Sequence, residues 1–119
     1  MTAPIVITPG DAAGIGPEVA LKAAQLFGPQ HVVFAGPRWL WQQAAQQFDT
    51  PVPERIMPVP ALRGMRPQRI RYGQRSSAWG RVAVECVRAA AHACMAGDAA
   101  ALVTAPLTKA GMHAAGYRY

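Results

Sequence analysis

The chain is poor in charge and poorer still in acid. Only 15% of its 119 residues are charged, and six acidic residues face twelve basic ones, for a formal net charge of +6. Apolar residues make up 51%, and a chain with so much to bury and so little charge falls outside the disordered class. Two cysteines are too few for a disulfide framework, and no Cys/His cluster has zinc-site spacing. No apolar run approaches the ~20 residues that cross a bilayer, and Met1-Thr2-Ala3-Pro4 lacks the basic start of a secretory signal. These absences predict a soluble, cytoplasmic protein with no membrane partner. The length allows one compact domain with a real core.

The positive charge is unevenly spread. Arg55, Arg63, Arg66, Arg69, Arg71 and Arg75 lie in one segment together with Pro51, Pro53, Pro58, Pro60 and Pro67, and Arg81 and Arg88 follow. A proline-rich, arginine-dotted stretch reads most simply as a solvated, irregular excursion; a surface for phosphate or an acidic partner is the other reading. With only Tyr72 inside it, the segment lacks the interleaved aromatics of a single-strand binding platform, so no nucleic-acid partner is expected.

Elsewhere strands alternate with helices, the pattern of an α/β protein with parallel pairing. Ile5-Val6-Ile7-Thr8 reads as a buried parallel strand. A glycine-rich loop from Gly10 to Pro17 follows, then a helix with Pro17 at its first turn, an apolar stripe of Val19, Ala20, Ala23, Ala24 and Phe27, and a stop at Gly28. Val32-Val33-Phe34-Ala35 is a second buried-type strand, and Pro37 opens a helix running to about Phe48. Short strands are expected at Arg55-Ile56-Met57 and at Arg69-Ile70-Arg71-Tyr72. The clearest helix is capped by Ser76 or Ser77 and ends near Met95 or Ala96. It places Trp79, Val82, Ala83, Cys86, Val87, Ala90 and Cys94 on one face and Arg81, Glu85, Arg88 and His92 on another. Glu85 is spaced to pair with both Arg81 and Arg88. Cys86 and Cys94 are separated by ~12 Å of helical rise, too far for a disulfide, and read as buried small hydrophobes. A strand from Ala99 to Thr104 leads to a last helix between Pro106 and Gly116.

Two loops carry the candidate chemistry. The first, Gly10 to Pro17, follows a strand and opens a helix, where free N–H groups attract anions. It is not a Walker loop, because Gly16 is followed by Pro17-Glu18 and not by Lys-Ser/Thr. Nor is it a dinucleotide fingerprint: counted from Gly14, the third glycine position holds Val19, and no acid ends the second strand. A tight structural turn and a ligand loop both remain open. The second, Thr104-Ala105-Pro106-Leu107-Thr108-Lys109, lies at the carboxyl end of a strand, offers two hydroxyls, and ends in one of only two lysines. Capping threonines with a solvated lysine are its blander reading. His31, His92 and His113 lack the spacing of zinc ligands.

At Ile7-Thr8-Pro9-Gly10-Asp11-Ala12-Ala13-Gly14-Ile15-Gly16-Pro17-Glu18 the chain resembles the opening of the 4-hydroxythreonine-4-phosphate dehydrogenase family. Leu102-Val103-Thr104-Ala105-Pro106-Leu107-Thr108-Lys109, followed by Ala115-Gly116, resembles a second signature of that family at a fitting distance. The first motif alone is also similar to isopropylmalate and isocitrate dehydrogenases, which have a related fold. Ala12 stands where the family usually has proline, which removes no functional group.

The resemblance implies a three-layer α/β/α fold with a mostly parallel sheet, truncated here, residues 1–119 being the N-terminal part of a longer two-domain enzyme. It implies NAD- or NADP-dependent oxidation of 4-phosphohydroxy-L-threonine to 2-amino-3-oxo-4-phosphobutanoate. That β-keto acid decarboxylates to 3-amino-2-oxopropyl phosphate, on the way to pyridoxal phosphate. A homodimer is implied for the full length, as is a divalent metal (zinc, magnesium or cobalt) whose histidine ligands are expected beyond the end of this chain. None of its three histidines matches them, and the isolated chain is not expected to turn over substrate. Of the residues present, Lys109 is the catalytic candidate, Thr104 and Lys109 the substrate-binding ones, and Gly14 and Gly16 the cofactor-side ones. Two alternatives are a related metal-dependent hydroxyacid dehydrogenase and a basic nucleic-acid-binding module.

Overall fold

The computed structural model describes residues 3–74, 76–105 and 109–117. Four strands, β1 (Ile5–Thr8), β2 (Val32–Ala35), β3 (Ile56–Met57) and β4 (Ala101–Thr104), form one sheet in the order β3-β2-β1-β4. Every pairing is parallel, with Ile5 opposite both Val32 and Ala101. Four helices, α1 (Gly16–Ala24), α2 (Arg38–Gln47), α3 (Ser77–Met95) and α4 (Lys109–Ala114), connect and cover it. α1 lies against α2, while α3 packs across β1, β4 and β2 and also holds α4. The expected α/β class and parallel sheet are what the chain adopts. No helix among the described residues is long and apolar enough to cross a membrane.

The core forms between the sheet and these helices around Val6, Leu40, Trp41, Val82 and Cys86, all essentially fully buried. Trp41 satisfies its one polar atom by donating from Nε1 to the Ala35 carbonyl at 3.1 Å, and its ring meets Phe34 edge-on at 4.8 Å. α3 follows its expectation closely: the Ser76 hydroxyl accepts from the Trp79 N–H, and Trp79, Val82, Ala83, Cys86 and Ala90 are buried. Val87 and Cys94 sit at the margin of that face, half-buried, and both cysteines are free.

Three expectations fail for physical reasons. α1 ends at Ala24, well before Gly28, and buries Gly16, Pro17, Ala20 and Leu21, while Val19 and Phe27 face outward. Its rotation is set where it starts, because Gly16 is pressed against the preceding loop. The strand expected at residues 69–72 does not form. Gln43 of α2 takes the hydrogen bonds a neighbouring strand would have made, its Nε2 donating to the Gln68 carbonyl (2.6 Å) and its Oε1 accepting from the Ile70 N–H (3.0 Å). Glu85 pairs with Arg88 (3.1 Å) but not with Arg81, whose guanidinium reaches instead to the Ala61 carbonyl (2.7 Å).

The arginine segment is largely the irregular excursion expected. It departs from β3, and Arg63, Arg66, Arg69 and Arg71 are exposed along it.

Candidate active site

The sheet order places β2 and β3 on one flank of β1 and β4 on the other. The carboxyl ends of β1 and β4 are thus the point where the winding reverses, the usual ligand crevice of an open α/β sheet. Thr8 and Thr104 end those strands as register partners. Both loops singled out from the sequence therefore leave the same rim.

The first loop is fixed from several sides. The Asp11 carboxylate accepts from the Ala13 N–H (2.9 Å), and the Asp11 carbonyl accepts from the Gly14 N–H (3.0 Å), an Asx turn that holds the bend. The Gly73 N–H, at the end of the arginine excursion, donates to the Ala13 carbonyl (2.7 Å). At Gly16 a Cβ would overlap the Pro9 carbonyl oxygen and come within 2.8 Å of the Ala105 Cβ. Only glycine allows the start of α1 to touch the residue that follows β4, and this contact joins the two loops. Gly14 is less confined, since a Cβ there would make ordinary contact with Asp11.

On the other side, Thr104 and Lys109 are exposed, and Lys109 is the first residue of α4. Residues 106–108, including Thr108 of the motif, lie outside the described residues. α4 is seated by a second close approach, because a Cβ on Gly80 of α3 would overlap the Gly111 carbonyl. Beyond α4 the Tyr117 hydroxyl donates to Glu85 Oε1 (2.7 Å) while Arg88 lies over the Tyr117 ring. Burial, and then the bond to Glu85, raise the Tyr117 phenol above its ordinary pKa. Glu85 thus orients the segment after α4 as well as Arg88. Thr8 adds a hydroxyl that is wholly buried and has no hydrogen-bond partner among the described residues.

Sequence reasoning missed Gly73, Gly80 and Tyr117 as supports of this rim. An isolated glycine inside a strong helical pattern is the one signal that marks Gly80. Nothing local marks Gly73 or Tyr117, whose partners are distant in the chain. Among the described residues no three His, Cys, Asp or Glu side chains converge as a metal centre would require.

The glycine loop and the end of β4 meet at the switch point of a parallel sheet, the place where open α/β domains hold ligands, so the chain has the architecture of an open α/β domain with a candidate site at that rim. Comparison with known proteins refines that class. The chain belongs to the family described as pyridoxal phosphate biosynthetic protein PdxA, which matches residues 16–119. It is 30% identical to the 4-hydroxythreonine-4-phosphate dehydrogenase of Trichlorobacter lovleyi, over 97% of this chain and 39% of that protein. It is 31% identical to the D-threonate 4-phosphate dehydrogenase of Salmonella typhimurium, over 99% of this chain and 41% of that protein. Among solved structures, a 4-hydroxythreonine-4-phosphate dehydrogenase from Burkholderia phymatum superimposes with a TM-score of 0.81 at 26% identity, over all of this chain and 41% of its own. The chain spans about two fifths of the length of the curated relatives it matches.

Proposed function

We propose that this chain supplies one wall of the active site of an NAD- or NADP-dependent dehydrogenase acting on a four-carbon hydroxy acid phosphorylated at C4. The Gly16–Ala105 contact carries the reading, because it joins the family's two motifs into one rim. Lys109 and Thr104 offer hydrogen-bond donors toward the substrate's phosphate or carboxylate. Gly14 and Gly16 shape the loop on the cofactor side, where the start of α1 presents backbone N–H groups.

The nicotinamide that this loop would hold would supply a hydride acceptor for the carbon bearing the secondary alcohol, whose hydroxyl proton would leave to a base. The ketone so formed lies β to the carboxylate, so the bond to carbon dioxide breaks and its electron pair passes into the enolate. Charge held by Lys109 keeps the substrate oriented through both steps. The divalent metal implied for the family finds no ligand set among the described residues, and no step here runs through one. The working form proposed is a full-length homodimer.

The test is Lys109→Ala in a full-length enzyme carrying this segment. KM is expected to rise, or kcat to fall, at least tenfold; an effect below twofold removes Lys109 from the site. A second reading, oxidation of D-threonate 4-phosphate, is favoured by the relatives of that name. The two substrates differ at C2, amino in one and hydroxyl in the other, so comparing kcat/KM on both decides between them.

A further inference from the structure

The same rim carries a second recess away from the Thr8–Thr104 switch point. A cavity of about 340 Å³ opens where β2 and β3 end, with apolar walls that include Ile56, Val59 and Leu62. Gly36 lines it and lies against Trp41 and Cys86 of the core, so this side of the recess is preformed. Among the described residues, Arg38 and Arg63 are its only charged lining residues, and no carboxylate is part of the lining. The guanidiniums of Arg55, Arg81 and Arg88 are engaged by Gln30, Ala61 and Glu85. Those of Arg38 and Arg63 have no hydrogen bond or ion pair among the described residues.

Two unengaged guanidiniums over a recess without acid select an anion, and their planar fork matches phosphate oxygens better than a point charge would. Apolar walls leave room for more than the anion, because a bare phosphate gains nothing from Ile56, Val59 and Leu62. We infer that this recess binds a compact organic phosphate, the phosphate between Arg38 and Arg63 and a ring or other apolar body against the aliphatic wall. The site is independent of the dehydrogenase reading and of Lys109.

Phenyl phosphate is the probe, titrated calorimetrically into the 119-residue chain beside inorganic phosphate and phenol. Saturable binding is expected, at least tenfold tighter than for either half of the ligand alone. Arg38→Ala and Arg63→Ala should each weaken it fivefold or more with circular dichroism unchanged. Arg66→Ala, an exposed arginine outside the recess, and Lys109→Ala should leave it within twofold. Absence of saturation overturns the inference, as does equal weakening by Arg66→Ala, which would mean diffuse charge. Loss in Lys109→Ala with retention in Arg38→Ala would move the phosphate to the switch point and overturn it as well.

Discussion

At the scale of single residues, the two glycines of the first loop do different work. Gly16→Ala drives a methyl into the Pro9 carbonyl and the Ala105 Cβ, and overpacking against backbone costs about 1–3 kcal/mol. Its unfolding free energy from urea titration is expected to fall by that amount, whereas Gly14→Ala should stay within about 1 kcal/mol of the parent. Equal effects would mean that the loop is not gripped at Gly16. Cys86 gives a pH dependence. Burial, helped by the neighbouring Glu85 charge, pushes its thiol from 9.0 up to about 12. The folded state holds the proton that the unfolded chain releases, so this contribution is complete below pH 9 and is lost as pH rises toward 12. Denaturant titrations across that window should show stability falling, and less steeply in Cys86→Ala. An unchanged slope would exclude the buried thiol as the cause.

At the scale of elements, what the sequence made legible followed from local pattern. β1, β2 and α3 sit where their apolar runs and the Ser76 cap placed them. α1 was misread because its burial is decided by Gly16, a residue with no side chain to register in a hydrophobic pattern. The missing strand at residues 69–72 was likewise beyond local reading: its β-like composition is real, but its backbone partner is the Gln43 side chain. The candidate site was legible only as two separate loops. Both loops announced themselves, yet their meeting at Gly16 and Ala105 depends on the β1–β4 pairing, formed by residues nearly a hundred positions apart. The seat of α4 is a separate matter of element packing. Gly80→Ala gains helix propensity worth about 1 kcal/mol but wedges α3 from the Gly111 carbonyl. Amide exchange across Lys109–Ala114 should therefore accelerate while that of β1 does not. Unaltered exchange in α4 would show that the two helices have slack between them.

At the scale of the whole molecule, the excursion between β3 and α3 has its far end hydrogen-bonded to the first loop, through Gly73 and Ala13. The exposed peptide bond after Arg63 lies within it. Trypsin acting there would cut the chain into two pieces, one carrying β1, β2 and β3 and the other α3, β4 and α4. The central β1 would still be paired with β4 of the second piece, and α3 would still lie across β1 and β2. The nicked molecule should thus elute as a single species, behaving as a heterodimer made from one gene product. Its melting temperature would then fall as the sample is diluted, more steeply than that of the uncut chain.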